Sequence, residues 1–142
     1  MADKVFFDTN ILLYCYSIDE KEKQEVALNL IDSCSENSKI SIQVINELSN
    51  ILFKKFKLSS KDIENTILEI DNYFEIVIFD IKTQIKALKI KEKYKFQFYD
   101  SLIIATALEN NCTILYSEDM QHGFEIENAL TIINPFKAKI NE

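Results

Sequence analysis

Five short runs of β-forming residues, Lys4–Asp8, Lys39–Ile42, Glu75–Phe79, Thr113–Tyr116 and Leu130–Ile133, are separated by stretches whose apolar residues recur at helical spacing. Strands that alternate with helices need crossover connections, which predicts an α/β domain with a mainly parallel sheet covered on both faces. The intervening segments bear this pattern out. Asp19 to Cys34 sets Val26, Leu30 and Ile31 on one face, and Gln43 to Phe56 does the same with Val44, Ile45, Leu48, Ile51, Leu52 and Phe56. A helix from Lys61 to Tyr73 is opened by Ser59 or Ser60 as a cap. Ile81 to Tyr94 is read with Ile85, Leu88 and Ile90 inward and Lys82, Lys86, Lys89 and Lys93 outward. Tyr99 to Asn110 is apolar on nearly every side, so it is expected to be buried.

The 142 residues include one Gly and one Pro, which leaves no flexible linker or repeat with which to divide the chain, so residues 1–142 are read as a single domain. Apolar stretches such as Leu102 to Leu108 fall far short of the roughly 20 residues that span a bilayer, and Asp3, Lys4 and Asp8 interrupt a signal-peptide pattern. A cytoplasmic protein with no membrane partner is the expectation. Cys15, Cys34 and Cys112 form no CxxC pair and only His122 could join them, so reduced core thiols are expected rather than a zinc site.

The net charge of −7 argues against coating nucleic acid by counterion release. Every basic residue is Lys, so no guanidinium fork is available for phosphate. An enzyme that holds a phosphate through a bound cation remains open.

In open parallel sheets, ligands gather beyond the carboxyl ends of the strands. Asp8 ends the first strand and Asp119 lies just past the fourth, so both project from that edge. Glu47 borders the apolar stripe of its helix, and Asp100 shares a face with Ile103, Ile104 and Ala107. Each acid taken alone has an ordinary use: Asp8 as a helix cap, Glu47 as a solvated border residue, Asp100 as a partner of the helix dipole, Asp119 as a turn residue. Taken together they half-bury charge at one edge, which desolvation opposes. A divalent cation resolves that conflict. Oxygen ligands without His or Cys suit Mg²⁺ or Mn²⁺ and point to phosphoryl chemistry, with one metal or two left open. Thr9, Asn10 and Ser117 stand beside Asp8 and Asp119, where they can orient these ligands, and Thr9 or Asn10 can equally cap a helix.

These residues resemble the PIN-domain nucleases, in particular the VapC-type toxins of toxin–antitoxin pairs. The matching pieces are Phe7-Asp8-Thr9-Asn10, Ile45-Asn46-Glu47-Leu48, Phe98-Tyr99-Asp100-Ser101-Leu102-Ile103-Ile104-Ala105, Tyr116-Ser117-Glu118-Asp119 and Ile133-Asn134-Pro135-Phe136, in family order along almost the whole chain. The resemblance implies a three-layer α/β/α sandwich around a mainly parallel five-stranded sheet. It implies Mg²⁺- or Mn²⁺-dependent endoribonuclease activity leaving 5′-phosphate and 3′-hydroxyl ends, an RNA substrate, a homodimer and an inhibitory antitoxin. By motif, the catalytic and metal-binding set is Asp8, Glu47, Asp100 and Asp119, with Ser117 as the accompanying hydroxyl and Thr9 and Asn10 in support. One residue of slippage in the last motif exchanges Asp119 with Glu118.

Lys54, Lys55 and Lys57 can track a phosphate backbone or simply end a helix in water, and Tyr94, Phe96, Phe98 and Tyr99 can stack bases or seal a core or dimer contact. His122 reads as a turn residue before Gly123, with a general acid as the alternative. Two other functions compete with the nuclease. One is a PIN-like interaction module that no longer cleaves. The other is a phospho-accepting signalling domain, which calls for acids clustered at the first strand and a Lys just after the last; here Asn134-Pro135 follows that strand.

Overall fold

In the computed structural model, which describes residues 3–140, β1 (Val5–Phe7) runs down the centre of a six-stranded sheet. Its neighbours are β2 (Ser38–Ser41) and β4 (Ile114–Tyr116), both parallel to it. Strand β3 (Glu75–Val77) extends the sheet beyond β2, and β6 (Leu130–Ile133) extends it beyond β4, again in parallel. A two-residue strand, β5 (Glu125–Ile126), pairs antiparallel with β6 and completes the order β3-β2-β1-β4-β6-β5. The sheet thus has six strands, not the five expected. Strand β5 is too short to carry an alternating pattern; it forms because Gly123, at φ +83°, turns the chain back and donates to the Ile132 carbonyl at 2.7 Å.

All three β1 residues are buried, as a central strand covered on both faces requires. Seven helices supply the cover: α1 (Thr9–Cys15), α2 (Lys21–Ser33), α3 (Ile42–Lys54), α4 (Ser60–Tyr73), α5 (Ile81–Tyr94), α6 (Phe98–Glu109) and α7 (Pro135–Ile140). Their starts are written locally. Ser41 caps α3, Ser59 and Asp62 form a reciprocal capping box at α4, and Asp80 and Thr83 form another at α5. Helix α7 begins with Pro135 as its first residue, after Asn134 accepts the Phe136 amide at 3.0 Å.

Helix α6 is buried from Ser101 to Ala107, as its apolar composition predicts. Helix α5 corrects the sequence reading: Ile90 is inward, but Ile85 and Leu88 are 48% and 54% exposed. The buried face of α5 is instead Thr83, Ala87 and Ile90, and the two small side chains, Thr83 and Ala87, let it lie close along α6. Cys112 is buried, Cys15 and Cys34 are half-buried, and all three are free thiols; burial pushes Cys15 up to about 12 and Cys112 up to about 11. No helix among the described residues is long and apolar enough to cross a membrane.

Candidate active site

The strand order reverses between β1 and β4, so the crevice beyond their carboxyl ends is the switch point of the sheet. Asp8 leaves β1 there, its amide still bonded to the Tyr116 carbonyl at 2.9 Å, and Ser117 leaves β4 beside it. The two side chains meet: Ser117 Oγ donates to Asp8 Oδ2 at 2.8 Å, while Asp8 Oδ1 accepts the Thr9 amide at 2.7 Å as the cap of α1. Asp8 is 5% exposed and Ser117 fully buried. Burial drives the Asp8 carboxyl up to about 7 against the pull of the Ser117 and Thr9 hydrogen bonds, and the charges of Asp100 and Glu47 push the same way.

Glu47 reaches this edge from α3. Thr9 Oγ1 donates to its Oε1 at 3.2 Å, and Gln43, one turn earlier, donates to the same oxygen at 3.1 Å. Gln43 also bonds the Tyr99 carbonyl at 3.3 Å, which ties α3 to the first turn of α6, where Asp100 sits half-buried. The Asp100 carboxyl is raised by burial first, then by Asp119 and Glu47. Asp119 is exposed, and Asn10 Nδ2 donates to its Oδ2 at 2.8 Å. Four separate segments thus bring the acids near enough to feel one another's charge: Asp8 with Asp100 and Glu47, and Asp100 with Asp119, while Asp8, Glu47 and Asp119 are each held by a neighbouring hydroxyl or amide.

Glu118, the neighbour that one residue of slippage would exchange with Asp119, faces elsewhere. Its carboxylate accepts Tyr14 Oη and Lys23 Nζ, each at 2.5 Å, and Asn10 Oδ1 receives its amide at 3.3 Å. Asn10 therefore braces the loop with both ends of its amide. His122 lies in a turn with Gly123, as the sequence predicts, but is half-buried rather than exposed, and its Nδ1 accepts the Asn134 amide at 2.9 Å, which ties that turn to the residue after β6. Sequence reading missed Gln43, Tyr14 and Lys23. The i, i+4 spacing of Gln43 and Glu47 was a usable signal, whereas Tyr14, Lys23 and Glu118 are brought together only by the fold.

Among the described residues, no three acidic, imidazole or thiol side chains are gathered closely enough to clasp an ion by themselves. The donor chemistry nonetheless fits a hard cation: only oxygens are offered, two carboxyls are driven toward protonation by burial and like charge, and Gln43 Oε1 is buried without a partner. Mg²⁺ in particular is held by one or two carboxylates and keeps several waters, so it does not need a closed protein cage.

A family model described as the PIN domain matches residues 5–124. The chain belongs to the PIN-domain family. Solved structures share this PIN fold. A chain of a toxin–antitoxin complex from Klebsiella pneumoniae superposes with TM-score 0.69 at 21% identity, covering 92% of this chain and 97% of that one. A chain of DNA-bound VapBC from Salmonella typhimurium gives 0.68 at 18% identity over 92% and 97%. A sarcin–ricin-loop-cleaving VapC toxin of Mycobacterium tuberculosis gives 0.64 at 12% identity over 78% and 86%. No curated protein matches the chain. In this PIN domain the crevice where Asp8 and Ser117 meet lies within the matched region.

The Ser117 hydroxyl is the closest counterweight to Asp8 burial. Ser117→Ala is expected to destabilise the metal-free protein by about 1–3 kcal/mol at pH 8, where it leaves a buried carboxylate oxygen unsatisfied. The loss shrinks at pH 5, where Asp8 is protonated; urea unfolding at the two pH values measures the difference.

Proposed function

We propose that this PIN domain is a divalent-cation-dependent endoribonuclease, the toxin of a toxin–antitoxin pair acting as a homodimer. Asp8, Glu47, Asp100 and Asp119 would hold Mg²⁺ or Mn²⁺, and Thr9, Asn10 and Ser117 orient those acids. The observation that carries the reading is the buried Asp8 at the switch point, raised to about 7 by burial and then by the charges of Asp100 and Glu47, with Asp119 acting in turn on Asp100. A fold alone has no use for that arrangement, because it costs stability at neutral pH.

A bound divalent cation supplies Lewis acidity at a phosphodiester oxygen and makes water acidic enough to serve as nucleophile near neutrality. The chain supplies the placement. Ser117 and the Thr9 amide fix both oxygens of Asp8, Thr9 and Gln43 fix Glu47, and Asn10 fixes Asp119, so the negative groups are pre-oriented before any cation arrives. Because Asp8 is buried with both oxygens engaged, it is poorly placed as a phosphate-accepting nucleophile, which weighs against a signalling domain.

One superposed chain comes from a toxin–antitoxin complex, and a cleft of about 530 Å³ beside α1, α2 and α4, where Leu12, Leu28 and Ile70 lie alongside Asn29, Asp32 and Glu69, offers a partner segment a seat.

Incubation with structured RNA tests the proposal. Cleavage is expected with Mg²⁺ or Mn²⁺ and not with chelator, and Asp100→Asn is expected to reduce it by about a hundredfold or more. Equal cleavage by wild type and Asp100→Asn removes Asp100 from the site; no cleavage of any RNA with either metal leaves the non-cleaving interaction module as the reading.

A further inference from the structure

Helix α5 packs the face of Thr83, Ala87 and Ile90 inward, and carries two other faces with no covering element. At about 100° per residue, Lys82, Lys86, Lys89 and Lys93 form one row along about 16 Å of its flank. They line an open groove of about 500 Å³. Beside that row, pointing directly away from the buried face, run Ile81, Ile85 and Leu88, at 72%, 48% and 54% exposure. Ile78, 80% exposed, continues the apolar row ahead of the helix.

Neither row is satisfied internally. Among the described residues the only ion pair made by the four lysines is Lys86 to Glu127, at 4.0 Å; Lys93 lies over the Tyr94 ring, 5.1 Å from its centroid. An isolated exposed Ile is ordinary, but a contiguous apolar row edged by like charge marks an interaction surface. Four aligned lysines are also a local reversal of sign in a chain of net charge −7.

We infer that this outer side of α5 docks an acidic amphipathic helix of a partner protein, with apolar side chains on the isoleucine–leucine row and carboxylates along the lysine row. RNA uses the lysines but leaves the apolar row uncovered; Glu109 and Glu127 in the groove disfavour any anionic partner alike and do not separate the two. A second copy of this chain docked α5 to α5 in antiparallel fashion would set both lysine rows on one side of the seam, like charge beside like charge, and in either orientation it brings no carboxylates to the row beyond those already there. An acidic amphipathic helix satisfies both rows at once, the helix-in-groove mode of recognition. The inference does not rest on the nuclease reading, since α5 contributes none of the four acids.

Fluorescence anisotropy on the intact chain tests it, with a labelled synthetic helix of about six turns bearing Leu at every third and fourth position and Glu on both flanks. Binding in the micromolar range is expected. Lys86→Glu with Lys89→Glu, and separately Ile85→Ser with Leu88→Ser, are each expected to weaken it roughly tenfold or more while unfolding midpoints stay within a few degrees. RNA cleavage by both variants is expected to match wild type, which separates this surface from the acidic site. Equal affinity for the same helix with Lys in place of Glu overturns the inference. So does tighter binding of a single-stranded oligodeoxynucleotide that the lysine variants abolish, or sedimentation showing that the same substitutions dissolve a self-associated form of the peptide-free protein.

Discussion

Asp8→Asn is expected to stabilise the metal-free protein by roughly 4 kcal/mol at pH 8. The same change is expected to reduce RNA cleavage by about a hundredfold or more. The stability gain follows from the direction of the Asp8 shift. Its carboxyl is raised from 3.8 to about 7 in the folded protein, chiefly by burial. A raised carboxyl pKa means that the folded state binds the proton more tightly than the unfolded state. Its contribution is therefore fully present below about pH 4 and is lost as pH rises through 7, at about 1.4 kcal/mol per unit over about three units. In chelator, wild-type stability should fall steadily from pH 4 to 7, with Asp100, also raised, adding to the slope. The Asn variant should show a much flatter profile and, at pH 8, an unfolding midpoint higher by on the order of 10 °C. Its amide keeps an oxygen for the Thr9 amide and can donate to the Ser117 hydroxyl in place of accepting from it. On the proposed reading Mg²⁺ or Mn²⁺ should narrow that gap by stabilising wild type and not the variant, and closing it takes about a thousandfold excess over the dissociation constant. Parallel profiles for the two proteins in chelator would show that Asp8 carries no such strain.

The same residue shows what could be read from the chain alone. An acid at the end of an apolar run was visible in Val5-Phe6-Phe7-Asp8, and the other three acids could be addressed by strand ends and helix faces. The parallel strands were legible because β-rich runs and helical periods differ in spacing. What escaped was set by tertiary pairing. Strand β5 exists only because Gly123 folds it back on β6, and α7 because Asn134 and Pro135 start a helix where the run looked like an ending. The periodicity of α5 showed that it is a helix but not which stripe faces inward: Ile85 and Leu88 outweigh Thr83 and Ala87 in hydropathy, yet close approach to α6 selects the smaller pair. The motif favoured Asp119 over Glu118; what the chain alone did not carry is where Glu118 goes, since its partners Tyr14 and Lys23 come from α1 and α2.

The strand that carries Asp8 is held from its other face. Phe7 is fully buried, stacked on Tyr116 at 5.3 Å between centroids and edge-on to Phe74 at 5.7 Å, so it packs β1 against β4 on the side of the sheet opposite Asp8 and Ser117. Phe7→Ala is expected to destabilise the protein by about 3–5 kcal/mol, the lost transfer energy plus a cavity that a tightly packed sheet cannot close. Phe7→Leu, which retains most of the volume, should cost less than about 1.5 kcal/mol. Successive side chains of a strand point to opposite faces, so the cavity left by Phe7 opens on the side of the sheet away from the Asp8–Ser117 pair and leaves that carboxyl as dry as before. In a double-mutant cycle measured by urea unfolding at pH 8 in chelator, the stabilisation from Asp8→Asn should therefore survive in the Phe7→Ala background to within about 0.5 kcal/mol. At pH 4.5, where Asp8 is protonated in the wild type, the energies should be additive as well. A gain from Asp8→Asn that shrinks by about 1 kcal/mol or more in the Phe7→Ala background at pH 8 alone would mean that the aromatic packing on the far face controls the charge across the sheet.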